Sequence, residues 1–251
     1  MYDKDIKRCR KLLEQMCPKR LPSVQPWRLR EREELILRSD MAYELGGDGK
    51  AAVSGIAFTT DTDLISENGV FLIGRDLPDI SEDTPYARFT FLCLDPQRCL
   101  REESEQSKQN AQALYGLLRK MEYTRYHIFP EGYMMRISSV KEREPVRISR
   151  RTLDEGMDFS GIGACFEDAY RQHSQVLFVQ TYFITAPHAD YRALGETARR
   201  FEEITESMNS IFHGLSMDCS TCAQKTVCDE IDGMRELHLE MADVIRRKGA
   251  Q

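Results

Sequence analysis

The stretch Val176-Leu-Phe-Val-Gln-Thr-Tyr-Phe-Ile184 is the clearest strand signal in this chain of 251 residues. It combines β-branched and aromatic residues, which fit the pleated, half-buried surface of a sheet. Three shorter apolar runs upstream, at residues 53–58, 70–73 and 89–94, are separated by Gly46-Gly47, Asn68-Gly69 and an acidic stretch. Runs of this kind between turn residues predict strands, so the region from about 36 to 95 is expected to be mostly sheet.

Helical patterns alternate with these strands. Apolar residues recur at helical spacing over residues 4–17, and Pro18, Pro22 and Pro26 then predict an extended linker. Further helices are predicted over 100–122 and 161–173, with a strand near 127–137. Loose alternation of this kind predicts an α+β fold, a mixed sheet flanked by helices.

The last sixty residues read as helical throughout. Two apolar stripes are predicted there, the first through Leu194, Phe201, Ile204, Met208, Ile211 and Leu215, the second through Ile231, Met234, Met241 and Ile245. They imply a C-terminal helical hairpin that carries a cysteine loop. We therefore expect an N-terminal helix and linker (1–26), an α+β central domain (27–188) and a helical segment with the loop (189–251).

Bulk properties exclude several classes of protein. The chain is 41% hydrophobic and 30% charged, which is typical of a globular protein, and it contains no apolar run of about 18 residues that could span a membrane. The N-terminus lacks the apolar stretch of a secretory signal, so a cytoplasmic location is expected. The net charge is −6, although residues 1–38 carry eleven Lys/Arg against six Asp/Glu. We expect neither nucleic acid nor membrane as a partner; the basic segment Trp27-Arg-Leu-Arg30 could meet a phosphate or form a solvated face.

Eight cysteines without an export signal argue for reduced thiols or metal ligation rather than disulfides. Five are scattered along the chain and are expected to behave as small buried hydrophobes: Cys9, Cys17, Cys93, Cys99 and Cys165. The other three form a C-x2-C-x5-C cluster. No dinucleotide, nucleoside triphosphate, zinc-protease or serine-hydrolase motif accompanies them.

The cluster consists of Cys219, Cys222 and Cys228. Its opening C-x2-C allows two sulfurs to reach one zinc ion or one iron of a cluster. His213 or His238 could complete a zinc site with three cysteines and one histidine. Alternatively, the three cysteines could hold a cubane iron–sulfur cluster whose fourth iron takes another ligand. From the residues alone, three interpretations stay open: a zinc site, an iron–sulfur cluster, and no bound metal.

The stretch Ile36-Leu-Arg-Ser-Asp-Met-Ala-Tyr-Glu-Leu-Gly-Gly47 resembles the central domain of acetyl-CoA synthase, the nickel–iron–sulfur subunit of the carbon monoxide dehydrogenase complex. The similarity continues in order through Leu-Ile-Gly-Arg-Asp-Leu-Pro-Asp-Ile-Ser-Glu at 72–82 and through the segments 126–138 and 163–185. The cysteine loop then falls where that family begins its metal cluster. The resemblance covers roughly residues 30–230.

The resemblance implies that Cys219, Cys222 and Cys228 correspond to the first three ligands of the family's 4Fe-4S cubane, with Cys222 as the bridge to its proximal metal. It places His238 in the zone of the family's fourth cysteine and Arg136 beside the coenzyme A site, where Met134 stands for a tryptophan. Two departures matter. The five residues 223–227 are a shorter interval than the family's, and the Cys-Gly-Cys motif that binds the distal nickel is not found in this sequence.

The resemblance thus implies a truncated relative without a complete nickel site. Its expected role is redox, regulatory or accessory, in carbon monoxide, acetyl-CoA or corrinoid methyl-transfer metabolism, with carbon monoxide dehydrogenase or corrinoid protein subunits as partners. One alternative is an interaction module stabilised by zinc. Another is a synthase-type enzyme that a partner subunit completes.

Overall fold

The computed structural model describes residues 1–47, 49–99, 107–136, 138, 140 and 142–212. Within these residues lie eight strands: β1 (Lys19–Arg20), β2 (Met41–Leu45), β3 (Ala52–Thr59), β4 (Gly69–Ile73), β5 (Tyr86–Leu94), β6 (Tyr133–Met135), β7 (Val146–Ser149) and β8 (Val176–Ile184). The same residues form six α-helices: α1 (Asp3–Gln15), α2 (Pro96–Cys99), α3 (Ser107–Thr124), α4 (Arg150–Asp154), α5 (Phe159–Arg171) and α6 (Tyr191–Phe212).

The strands form two sheets. The larger has the order β1-β4-β8-β5-β3, in which β4 and β8 run parallel, as do β3 and β5, while β8 and β5 run antiparallel. The smaller sheet, β2-β7-β6, is antiparallel. The predicted α+β fold with a mixed sheet flanked by helices is therefore confirmed. The predicted C-terminal hairpin with its cysteine loop lies outside the described residues.

The large sheet is covered on both faces, which explains why β3 and β5 are buried along their whole length. Side chains alternate between the faces of a strand. On one face, Phe183 stacks on Phe159 of α5 with ring centroids 4.4 Å apart. On the other, Phe201 of α6 meets Phe89 and Phe91 edge-on, at 6.3 and 6.4 Å.

Local chemistry sets the helix positions. The carboxylate of Asp158 accepts a hydrogen bond from the Gly161 amide (2.8 Å), which caps α5 at its start. Along α6 the predicted stripe is buried at Leu194, Phe201, Ile204 and Met208. None of the helices within the described ranges combines the length and the apolar character needed to cross a bilayer.

Three segments differ from the sequence prediction. The predicted linker contains β1, which pairs with β4 at the sheet edge. The strand predicted near 127–137 shrinks to the three residues of β6, because residues 125–127 form a 3-10 turn and Gly132 takes a positive φ of 80°. The pairing of β2 with β7, which builds the small sheet, was not predicted.

Candidate functional site

The predicted metal ligands Cys219, Cys222, Cys228 and His238 lie outside the described residues, as does His213. The structure does describe the helix that leads to the loop. Helix α6 ends at Phe212, seven residues before Cys219, and its buried stripe fixes it to the large sheet. The last described helix before the cysteine cluster is thus packed on the large sheet.

The other five cysteines are all described, and burial decides their chemistry. Four are buried and only Cys17 is exposed. Burial raises the pKa of Cys93 to about 11 and that of Cys165 to about 12, and it raises the pKa values of Cys9 and Cys99 as well. At neutral pH these four thiols are therefore protonated, whereas metal ligation and nucleophilic attack require the thiolate.

No group of three or more His, Cys, Asp or Glu side chains that could hold a metal ion occurs within the described ranges. Two of the histidines there have local partners. His173 Nε2 lies 2.9 Å from the Thr124 hydroxyl, and burial, with the nearby Lys120 ammonium, lowers its pKa. His127 Nδ1 lies 3.0 Å from the carbonyl oxygen of Tyr123.

Arg136, the predicted coenzyme A residue, directly follows β6. Its backbone amide donates to the Pro145 carbonyl (2.7 Å), and its guanidinium, 44% exposed, contacts the buried carboxylate of Glu44. Arg147 Nε lies 3.8 Å from the other carboxylate oxygen of Glu44. Glu44 therefore balances one of two neighbouring guanidinium charges, and the outer part of Arg136 faces solvent.

The Glu-Leu-Gly-Gly stretch at residues 44–47 forms a tight turn. The Glu44 amide donates to the carboxylate of Asp83 (2.7 Å), and the Gly46 amide donates to the Thr84 carbonyl (2.7 Å). Gly46 has a φ of +72°, and a Cβ on Gly47 would lie 2.8 Å from the Cβ of Glu44. The two glycines thus let the chain turn tightly around the Glu44 side chain.

A second charged group, which the sequence reading missed, lies in the interior. Arg88 of β5 donates to Glu144 at 2.6 Å, and its guanidinium lies 4.2 Å from the centre of the Phe166 ring. Arg125 donates to Glu202 of α6 at 3.3 Å and to the hydroxyl of Tyr126 at 2.6 Å. We call these four charged residues, Arg88, Glu144, Arg125 and Glu202, the buried ion network.

Tyrosines surround the network. The hydroxyls of Tyr86 and Tyr133 are 2.6 Å apart, and burial raises the pKa of Tyr133 to about 12. Burial alone would lower the pKa of Arg88, but the carboxylate of Glu144 raises it overall, so the guanidinium stays charged. Nε and Nη1 of Arg125 and Oε1 of Glu144 have no hydrogen-bond partner in the part of the chain that is described.

The network joins β5, the segment before β7, the turn after α3 and helix α6. With two cations and two anions it is neutral in sum, so it suits a structural role better than attraction of a charged ligand. The sequence does contain a signal for Arg88. This charged residue lies within the apolar run Tyr-Ala-Arg-Phe-Thr-Phe-Leu-Cys-Leu, where it needs a buried partner. No such signal marks Glu144, which ends the charged run Lys-Glu-Arg-Glu at residues 141–144.

No protein-family model matches the chain, and no curated protein matches it significantly.

Proposed function

We propose that this protein binds an iron–sulfur cluster of the 4Fe-4S type through Cys219, Cys222 and Cys228, with His238 as the candidate fourth ligand. The C-x2-C-x5-C cluster carries the proposal. The chemistry of the remaining cysteines supports it, because burial keeps Cys9, Cys93, Cys99 and Cys165 protonated. The donor set of closely spaced thiols fits iron, and it fits zinc equally well in number.

The proposed role is redox, regulatory or accessory, in carbon monoxide, acetyl-CoA or corrinoid methyl-transfer metabolism in the cytoplasm. It rests on the similarity of the segments 36–47, 72–82, 126–138 and 163–185 to acetyl-CoA synthase. Carbon monoxide dehydrogenase or corrinoid protein subunits are the proposed partners. A complete two-nickel centre is not part of the proposal, since the sequence has no Cys-Gly-Cys motif.

Coenzyme A binding at Arg136 is a subordinate part of this proposal. The half-exposed guanidinium is of the right chemistry for a phosphate, but the contact with Glu44 competes for its charge. Replacing Arg136 by Gln should then weaken coenzyme A binding in calorimetry, whereas Arg143→Gln, on an exposed arginine of the same segment, should leave it unchanged. Equal affinities of wild type and Arg136→Gln would remove Arg136 from the site.

Reconstitution tests the cluster. Protein incubated anaerobically with iron and sulfide should develop charge-transfer absorption, and the variant with Ser at positions 219, 222 and 228 should not. Cys17→Ser is the matched control, because Cys17 is the exposed cysteine among those described. Absorption that survives the triple substitution, or fails to form in the wild type, would contradict the proposal.

A second candidate is an interaction module that carries structural zinc. It is favoured by the presence of His213 and His238 beside three cysteines, which supplies the donor set of a common zinc site. That function predicts stoichiometric zinc in protein purified without oxygen. A third candidate, an enzyme completed by a partner subunit, predicts methyl or acetyl transfer only when that subunit is added.

A further inference from the structure

Helices α1 and α6 lie side by side in opposite directions on the same face of the large sheet. Near the start of α1, the hydroxyl of Tyr2 lies 2.8 Å from that of Thr205. One turn further along α1, Asp5 lies 3.9 Å from Arg200 Nε. The rest of α1 therefore runs alongside the first half of α6.

The outer surface between the two helices forms a groove of about 710 Å³, lined by residues from position 5 to 15 and from 193 to 203. At 1.5 Å per residue, each helix borders it for about 15 Å. Leu12 and Thr197 contribute apolar atoms to its lining, and charged side chains form most of the rest.

The charges of this groove are not balanced pairwise. Its carboxylates are engaged: Asp5 and Glu203 contact Arg200, and Glu196 contacts Arg192. Three exposed cations, Arg8, Lys11 and Arg199, have no carboxylate partner among the described residues. Arg8 and Lys11 are three positions apart on α1 and so share a face of the helix.

This distribution differs from that of the basic segment at residues 27–30. There, Arg28 lies 3.2 Å from Glu131, Arg30 lies 2.6 Å from the same carboxylate, and Arg28 also contacts Glu155. Arg28 and Arg30, which form the basic segment seen in the sequence, are thus paired with carboxylates of the same chain. The lining of the groove between α1 and α6, in contrast, carries four cations and three carboxylates, a net charge of +1, on a concave surface.

We propose that the groove between α1 and α6 binds an acidic segment of a partner protein. The backbone amides along α1 and the body of α6 are hydrogen-bonded within their helices, and the Ala193 amide in the first turn of α6 donates to the Asp190 carboxylate (3.0 Å), so the groove offers side-chain cations spread along two helices. A peptide with several carboxylates can meet all three, and its apolar atoms can lie on Leu12 and Thr197. A phosphate cradle would instead present convergent backbone amides at a helix N-terminus.

Fluorescence anisotropy tests the proposal with a labelled twelve-residue peptide rich in Glu and Ala, and with a Lys-rich peptide of the same length. The acidic peptide should bind saturably at about 20 mM salt and more weakly at about 300 mM. Gln at positions 8, 11 and 199 together should lower its affinity about tenfold. The matched control carries Gln at three other exposed basic positions, Lys7, Lys19 and Arg38, and should change the affinity less than about twofold.

Equal losses in the two triple variants, or no saturable binding, would overturn the proposal. Binding of inorganic phosphate or ATP that requires Arg8, Lys11 and Arg199, without binding of the peptide, would also overturn it in favour of a small-anion site. Circular dichroism checks that each variant is folded, and amide chemical-shift mapping on the wild type locates the peptide independently of any substitution. Shifts confined to other surfaces count against the groove.

Discussion

Arg88 and Glu144 are paired with side chains only 3% and 5% exposed. A buried pair of this kind contributes little net stability compared with apolar residues, but removal of one partner leaves the other charge buried and uncompensated. Glu144 lies in the segment before β7, so the ion pair also holds the small sheet against β5.

We predict that Arg88→Met lowers the free energy of unfolding by about 3–5 kcal/mol, and that the double variant Arg88→Met, Glu144→Leu recovers a large part of this loss. Urea unfolding followed by circular dichroism measures both. The control is Arg192→Gln, because Arg192 and Glu196 form a pair whose side chains are 83% and 55% exposed. That substitution should cost at most about 1 kcal/mol. A loss below that of the control in Arg88→Met would show that the pair is not buried as described.

Thiol reactivity should follow burial. Because burial raises the pKa values of Cys93 and Cys165, iodoacetamide at about pH 8 should modify exposed Cys17 in the native protein and leave those two intact. Mass spectrometry after timed labelling gives the rates, and unfolded protein serves as the control in which all three react. Modification of Cys93 as fast as Cys17 in the native state would contradict the packing of β5.

At the scale of elements, α5 approaches β4 closely at a glycine. A Cβ on Gly163 would lie 2.4 Å from Cγ1 of Val70, whereas a Cβ on Gly116 of α3 would meet nothing within 4 Å. Gly116 is therefore the control position for a substitution at Gly163.

We predict that Gly163→Ala destabilises the protein by about 1–3 kcal/mol through overpacking, despite the better helix propensity of alanine. Gly116→Ala, in contrast, should stabilise it by up to about 1 kcal/mol. Thermal unfolding of the two variants beside the wild type measures the difference. A stabilising Gly163→Ala would mean that α5 does not lie so close to β4.

Glu131 connects three elements, since it contacts Arg28 and Arg30 of the N-terminal segment and Arg151 of α4. The hydrogen bonds from Arg151 and Arg30 hold its pKa below the usual value. A carboxylate with a depressed folded-state pKa stabilises the protein above its unfolded-state pKa, and that contribution is lost as the pH falls through the folded-state value.

Glu131→Gln should therefore lower the urea midpoint at about pH 7 and have a smaller effect at about pH 3, because the contribution of the charge declines as the pH falls toward the folded-state pKa. Glu82→Gln, at an exposed carboxylate without an ion pair among the described residues, should change neither midpoint. An equal effect of Glu131→Gln at both pH values would indicate a role in packing rather than charge.

Strand positions were predictable because the apolar runs are nearly continuous. Residues 176–184 coincide with β8, and the runs at 53–58, 70–73 and 89–94 fall within β3, β4 and β5. Strand β2 lies in the region predicted to be mostly sheet, but it was not predicted individually, because its short apolar run contains the charged Glu44, whose buried position depends on Arg136 and Arg147 from distant parts of the chain.

In the molecule as a whole, the order of the strands in the large sheet could not be predicted from the sequence. The neighbours β3 and β5 are parallel, and β8 enters between β4 and β5 from more than eighty residues downstream. Neither fact leaves a local signal, because pairing between distant strands depends on how the helices cover the sheet. The same limit applies to the buried ion network, whose members come from four separate segments.

We propose that Cys219, Cys222 and Cys228 hold an iron–sulfur cluster. The most direct test is the content of iron, acid-labile sulfide and zinc per chain, in protein purified anaerobically, for the wild type and for the variant with Ser at the three positions. We predict about four iron and four sulfide in the wild type and neither in the variant. One zinc per chain without iron, or iron retained in the variant, would contradict the claim.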